Sequence, residues 1–79
     1  MTKEQIFKEL ELIFIKILDF KVSNINTETK LSDIKGWDSL SHINIIEEIE
    51  SKFNVNFSVG EIVTLNTISD LIKLIQSKL

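Results

Sequence analysis

Apolar residues recur at helical spacing in three long segments of the chain. In the first segment, from about Lys3 to Leu18, the apolar positions follow an i, i+4, i+7, i+11 pattern that begins at Ile6. This spacing places apolar side chains along one face of an α-helix. Thr2 precedes the segment, and threonine accepts hydrogen bonds from the unpaired amides of a helix start. We therefore predict a first helix that is capped by Thr2.

The second segment is predicted to begin with Asp38 as its cap and Ser39 as its first helical residue, and to end at Asn54 and Asn56. Its acidic residues fall away from the apolar stripe, so we expect Glu47, Glu48 and Glu50 to face solvent. The predicted stripe consists of Leu40, Ile43, Ile46, Ile49 and Phe53, with Ile45 beside it.

The third segment starts after Thr67, which is followed three positions later by Asp70. This pair resembles a capping box with aspartate in place of glutamate, and it predicts the start of the last helix. The apolar face of that helix is predicted to consist of Ile68, Leu71, Ile72, Ile75 and Leu79.

Two connections join these helices. The long one, from about Asp19 to Trp37, combines turn-forming residues with several apolar ones, so we expect an ordered loop packed on the core. Its apolar residues are Val22, Ile25, Leu31 and Ile34. The segment from Phe57 to Leu65 fits either a short helix capped by Ser58 or a short strand, and the surrounding helices favour the helix.

These elements predict an all-α fold: a small four-helix bundle with three long helices, one short helix and a long ordered loop between helices 1 and 2. A chain of 79 residues is expected to form one domain, which here spans 1–79. The predicted core consists of Ile6, Leu10, Phe14, Ile45, Ile49, Phe53, Ile62, Ile68, Leu71 and Ile75.

Composition argues against several kinds of active site. The chain has no cysteine, which excludes disulfides, thiolate metal sites and cysteine nucleophiles. The single histidine, His42, cannot form a zinc site alone, and two glycines leave no phosphate-binding loop. Ser39 lies near His42, but no third group supports the histidine as a base, as a catalytic triad requires. We expect no metal site and no catalytic activity.

The charge is negative and unevenly distributed. Twelve acidic residues stand against nine lysines, with no arginine, which gives a net charge of −3 and disfavours nucleic-acid binding. The stretch from Asp38 to Glu61 carries five acids and one lysine, a net charge of −4, so basic protein partners are expected. No apolar run is long enough to span a membrane and no secretion signal is visible. We expect a cytoplasmic monomer.

The stretch Gly36-Trp37-Asp38-Ser39-Leu40 resembles the modification motif of acyl carrier proteins. The similarity extends over essentially the whole chain, because the order of helices, loop and motif is the order found in that family. The resemblance implies that Ser39 carries a covalent 4′-phosphopantetheine arm, whose thiol holds acyl or aminoacyl groups as thioesters. It also implies that Asp38 takes part in recognition by the phosphopantetheinyl transferase.

Partner contacts are expected beside this motif. The family suggests that Leu40 and Ile43 help form an apolar spot for partners, whereas the pattern alone leaves open whether they belong to the core or border the arm. The acidic second helix, with Glu47 and Glu48, is expected to attract basic surfaces of the transferase and of enzymes that load or transfer acyl or aminoacyl groups. We interpret His42 as a surface residue beside the arm and Trp37 as a packing residue near the motif.

Departures from the family pattern leave the pathway open. Fatty-acid carriers usually have acidic residues where Ser41 and Asn44 stand here, so the sequence resembles a discrete acyl carrier other than the housekeeping one of fatty acid synthesis. A dedicated pathway for a secondary metabolite, a surface glycan or an aminoacyl group is expected, and the residues do not rank these. Two other functions retain the helices: an unmodified interaction module with the carrier fold, and a small regulator that binds a partner helix. Neither accounts for the Asp38-Ser39-Leu40 motif.

Overall fold

The computed structural model describes residues 1–18 and 25–79, and every structural statement below refers to these two ranges. They form four α-helices and one turn of 3-10 helix, which confirms the all-α prediction of three long helices and one short helix. In chain order the elements are α1 (Lys3–Leu18), the 3-10 turn (Leu31–Asp33), α2 (Ser39–Phe53), α3 (Val59–Val63) and α4 (Ile68–Lys78). None of these helices has the length and apolar character needed to cross a membrane.

Side-chain caps define where the helices start. The N–H of Gln5 donates to Thr2 Oγ1 at 3.2 Å, while the N–H of Thr2 donates to the side-chain oxygen of Gln5 at 2.8 Å, so Thr2 caps α1 as predicted. A reciprocal capping box between Thr67 and Asp70 starts α4, as predicted. Ser58 forms a second box with Glu61, which confirms the short helix in the segment that was also compatible with a strand.

The helices enclose one apolar core, which is built mainly from α1, α2 and α4. The buried residues are Ile6, Leu10, Ile13, Phe14, Leu31, Ile34, Ile45, Ile46, Ile49, Phe53, Val55, Ile68, Leu71, Ile72 and Ile75. Nine of the ten predicted core residues are among them. The exception is Ile62, which is only partly buried because α3 lies at the edge of the core. Leu79, predicted on the apolar face of α4, is mostly exposed at the chain end.

The described part of the long loop, residues 25–37, forms backbone hydrogen bonds with the connection between α3 and α4 and with the start of α4. The N–H of Leu31 donates to the carbonyl of Asn66 at 2.9 Å, and the N–H of Ile68 donates to the carbonyl of Thr29 at 3.1 Å. Leu31 and Ile34 are buried. These contacts confirm an ordered, packed loop over 25–37, while Val22 and the rest of 19–24 lie outside the described residues.

The acidic face of α2 differs from the prediction. Glu48 forms an ion pair with Lys16 of α1 at 2.7 Å, and Glu50 Oε2 accepts the backbone N–H of Phe57 at 2.8 Å. Both glutamates are partly buried, whereas Glu47 is exposed and lacks an ion-pair or hydrogen-bond partner within the described ranges. Glu47 therefore faces solvent as expected, whereas Glu48 and Glu50 are only partly exposed because their carboxylates contact neighbouring segments.

Candidate functional site

The start of α2 is shaped by the two residues that enter it. Gly36 has a φ of 86°, a conformation that costs little only for glycine, and it turns the chain towards the helix. Asp38 is extended, and its Oδ1 accepts the N–H of Ser41 at 2.8 Å. Ser39 is consequently the first residue of α2, as the sequence predicts.

The Asp38 carboxylate is stabilised in its charged form. The hydrogen bond from the backbone N–H of Ser41 is the main cause that holds the pKa of Asp38 below its ordinary value. The Ser41 hydroxyl donates to the carbonyl of Gly36 at 3.0 Å, which connects the first turn of the helix to the preceding turn. The negative charge lies at the amino end of α2, where the helix dipole favours it.

Ser39 lies at an open cleft of about 320 Å³. The cleft is formed by the 3-10 turn, the start of α2 and the connection between α3 and α4, and its lining consists of Leu31, Ser32, Trp37, Asp38, Ser39, His42, Leu65 and Asn66. The structure therefore brings together Asp38 and Ser39, two of the predicted site residues, and adds Leu65 and Asn66 opposite them. The predicted partner residues on α2 lie outside this lining.

Trp37 connects this cleft to the core. Its ring meets the ring of the buried Phe14 in an edge-to-face arrangement with centroids 5.4 Å apart, so the packing role predicted for Trp37 is confirmed. Its indole N–H also donates to Nδ1 of His42 at 3.2 Å. His42 is partly exposed and lines the open cleft, while Trp37 lies against one side of its ring.

Four large apolar side chains remain exposed on α2 and α3. Leu40 and Ile43, which the pattern left open between core and partner surface, are 68% and 54% exposed and do not belong to the core. Val59 and Val63 of α3 are 77% and 74% exposed. Their i, i+4 spacing, which places both on one helix face, is the sequence signal for this second apolar surface, but spacing alone does not distinguish an exposed face from a buried one.

A phosphodiester fits the geometry at Ser39. The side chain is exposed, so an enzyme can reach its hydroxyl. The first turn of a helix presents N–H groups without intrahelical acceptors, and the helix dipole adds partial positive charge, so an anion on Ser39 Oγ is favoured. No group of three or more potential metal ligands occurs in the part of the chain that the structure describes.

Comparisons with known proteins agree with this geometry. The family model described as "Phosphopantetheine attachment site" matches residues 8–75. The acyl carrier protein of an Exiguobacterium species (strain AT1b) is 32% identical over 79 residues, which cover 100% of both chains. The match is therefore to a whole carrier protein of the same length.

Solved structures show the same fold. The crystal structure of an acyl carrier protein from Thermotoga maritima superimposes with a TM-score of 0.86 at 18% identity, covering 96% of this chain and 88% of that one. The solution structure of a holo acyl carrier protein from Geobacter metallireducens gives a TM-score of 0.80 at 35% identity, covering 90% and 82%. The chain belongs to the acyl carrier protein family and acts as a carrier of acyl groups on a phosphopantetheine arm.

Proposed function

We propose that Ser39 is the residue that carries the phosphopantetheine arm. The observation that supports this most directly is the position of its exposed hydroxyl. It stands on the first residue of α2, beside the charged Asp38 cap and on the rim of the 320 Å³ cleft. A serine buried in a helix interior would offer neither access for an enzyme nor a favourable site for an anion.

The attachment chemistry needs only the serine from this chain. Ser39 Oγ loses its proton and forms a bond to the β-phosphorus of coenzyme A, while the pyrophosphate bond breaks and adenosine 3′,5′-bisphosphate leaves. The product is a phosphodiester, and the terminal thiol of the arm supplies the thioester chemistry that a cysteine-free chain lacks. The transferase provides the base and the metal for this step, so we assign no catalytic activity to the chain itself.

Asp38 and the exposed residues of α2 are proposed to meet the partners. The charged Asp38 lies next to the attachment residue, where it can contact the metal-bound coenzyme A of the transferase. Leu40 and Ile43 present an exposed apolar surface, and Glu47 and Glu48 follow along α2. We propose that this surface binds the transferase and then the enzymes that load or transfer acyl or aminoacyl groups.

Intact-mass measurement after incubation with coenzyme A and a transferase tests the attachment residue. We expect the wild-type chain to gain the mass of one phosphopantetheine and Ser39→Ala to gain none. Ser32→Ala is the matched control, because Ser32 is an exposed serine that lines the same cleft, and this variant should load like the wild type. Loading of Ser39→Ala, or failure of the wild type to load, would overturn the assignment.

A further inference from the structure

The hydrogen bond between Trp37 and His42 determines which imidazole nitrogen carries the proton. An indole N–H can only donate, so the His42 Nδ1 that it meets at 3.2 Å must be an unprotonated acceptor. A neutral imidazole with a free lone pair on Nδ1 carries its hydrogen on Nε2. Trp37 therefore selects the Nε2–H tautomer of His42 and leaves that N–H as a hydrogen-bond donor.

Trp37 positions the His42 ring through a hydrogen bond and an aromatic contact. Trp37 holds Nδ1 from one side, and Trp37 is itself packed on Phe14, which is fully buried. The two rings of Trp37 and His42 lie 5.8 Å apart at a tilt of 60°. A donor that is already fixed loses little conformational entropy when it forms its next hydrogen bond.

The location of His42 brings this donor to Ser39. The two residues are three positions apart on α2, a spacing at which Cβ atoms lie ~5–6 Å from each other on one helix face. Side chains on a helix lean towards its amino end, so His42 covers the turn that contains Asp38 and Ser39. His42 and Ser39 line the same cleft, and no acceptor within the described ranges takes the Nε2–H.

We propose that His42 is a positioning residue for the prosthetic arm: its Nε2–H donates a hydrogen bond to a non-bridging oxygen of the phosphodiester on Ser39. This inference rests on Ser39 being the attachment residue. Hydrogen bonds to a charged acceptor are short and strong, so the first segment of the arm is held over the cleft. A chain of contacts from Phe14 to Trp37 and from Trp37 to His42 thereby connects the core to the arm.

The test uses loaded wild-type protein and three loaded variants in alkaline buffer, where histidine side chains are ordinarily neutral. His42→Phe keeps a ring and removes the donor, whereas His42→Gln places an amide N–H donor near the position of Nε2. Trp37→Phe keeps an aromatic ring against Phe14 and removes the N–H that selects the tautomer. Intact mass reports loading, the phosphorus NMR resonance reports the environment of the phosphodiester, and the imidazole nitrogen resonances report the tautomer.

We expect the wild-type histidine to show the pure Nε2–H tautomer before loading, and its Nε2 resonance to shift on loading. The phosphorus resonance should move towards that of the free arm in His42→Phe and stay near the wild type in His42→Gln. Trp37→Phe should give a mixture of tautomers and an intermediate phosphorus shift. Identical phosphorus resonances in fully loaded wild type and His42→Phe would refute the role of His42 while leaving Ser39 intact. A wild type that gains no mass would refute the attachment assignment, and the inference with it.

Discussion

The two halves of α2 both contain large apolar residues, but these residues have different roles. In the carboxyl half, counted from Ile45 onwards, the apolar residues Ile45, Ile46, Ile49 and Phe53 are buried. In the amino half, Leu40 and Ile43 are mostly exposed, although their helical spacing would continue the same stripe. The carboxyl half thus stabilises the bundle, while the amino half presents apolar surface next to the serine that is proposed to carry the arm.

The difference shows that the same apolar spacing is compatible with a buried helix face and with an exposed one. Leu40 and Ile43 lie on a face of α2 that does not belong to the core, so their apolar side chains remain largely in water. Exposure of large apolar residues next to a reactive group is a common feature of binding surfaces. Three experiments can break or refine this division of α2.

The largest effect should come from comparing two isoleucines on the same helix. Ile49 is fully buried, so Ile49→Ala should lower the free energy of unfolding by ~2–5 kcal/mol. Ile43 is 54% exposed, and Ile43→Ala should change it by less than ~0.5 kcal/mol. For a domain of this size, ~1 kcal/mol moves the melting temperature by ~4–8 °C, so thermal melting separates the two variants. Equal melting temperatures would contradict the claim that the carboxyl half of α2 stabilises the bundle and the amino half does not.

A smaller effect should appear at the cap of α2. Asp38→Asn keeps an oxygen that can accept the N–H of Ser41 and removes the charge, whereas Asp38→Ala removes both. We expect a lower melting temperature for both variants at neutral pH, with the greater loss in Asp38→Ala. Such a result would show that the amino half also contributes to stability, through its cap and not through burial.

The stability difference between wild type and Asp38→Asn should depend on pH in a defined direction. Because the hydrogen bond from the backbone N–H of Ser41 lowers the pKa of Asp38 in the folded state, the stabilisation is complete above the ordinary value of 3.8. It is lost as the pH falls through the lower folded pKa. The difference in melting temperature between wild type and Asp38→Asn should therefore be constant from neutral pH to about pH 4. Below that pH the difference should decrease. Glu61, whose pKa is also lowered, titrates in both proteins. A difference that widens in acid would contradict this account.

Much of this architecture could be predicted because local chemistry determines it. The caps at Thr2, Ser58 and Thr67 and the αL conformation of Asn54 after α2 mark helix ends through side-chain and backbone preferences that act within a few residues. The position of Ser39 at the start of α2 follows from the same local rules. For this reason the helix boundaries and the place of Ser39 are predictable from local sequence, whereas its expected role as the attachment residue follows from the resemblance to acyl carrier proteins.

The remaining features depend on which elements meet in space. No pattern in the chain predicts that Trp37 donates to His42, or that Lys16 of α1 pairs with Glu48 of α2. Each contact depends on how the folded chain packs. Lys16 and Glu48 are far apart in the sequence, and Trp37 and His42 lie on either side of the start of α2. Burial of Ile62 was overestimated for the same reason, because helical spacing does not report how far a short helix lies from the core.

The smallest effect, and the most informative about where the functional surface ends, concerns Glu47 and Glu48. Glu47 is exposed and free of partners among the residues described, whereas Glu48 pairs with Lys16. If α2 attracts basic partner surfaces, Glu47→Lys should slow loading of Ser39 severalfold at low salt, and Glu48→Lys should slow it less because Lys16 already offsets its charge. The double reversal should be the slowest. The measurement is the loading rate by transferase at several salt concentrations.

Salt and a matched reversal separate docking from a general change in charge. Exposed charges act over ~30 Å at 0.01 M salt and ~3 Å at 1 M, so all rates should converge as salt rises. Glu4→Lys on α1 changes the net charge by the same amount as Glu47→Lys but lies on another helix, so its loading rate should stay near the wild type. Melting curves control for the lost ion pair of Glu48, an exposed pair worth ~0.2–1 kcal/mol at most. If Glu4→Lys and Glu47→Lys slow loading equally, net charge and not the surface of α2 governs the encounter, and the glutamates of α2 have no special role in docking.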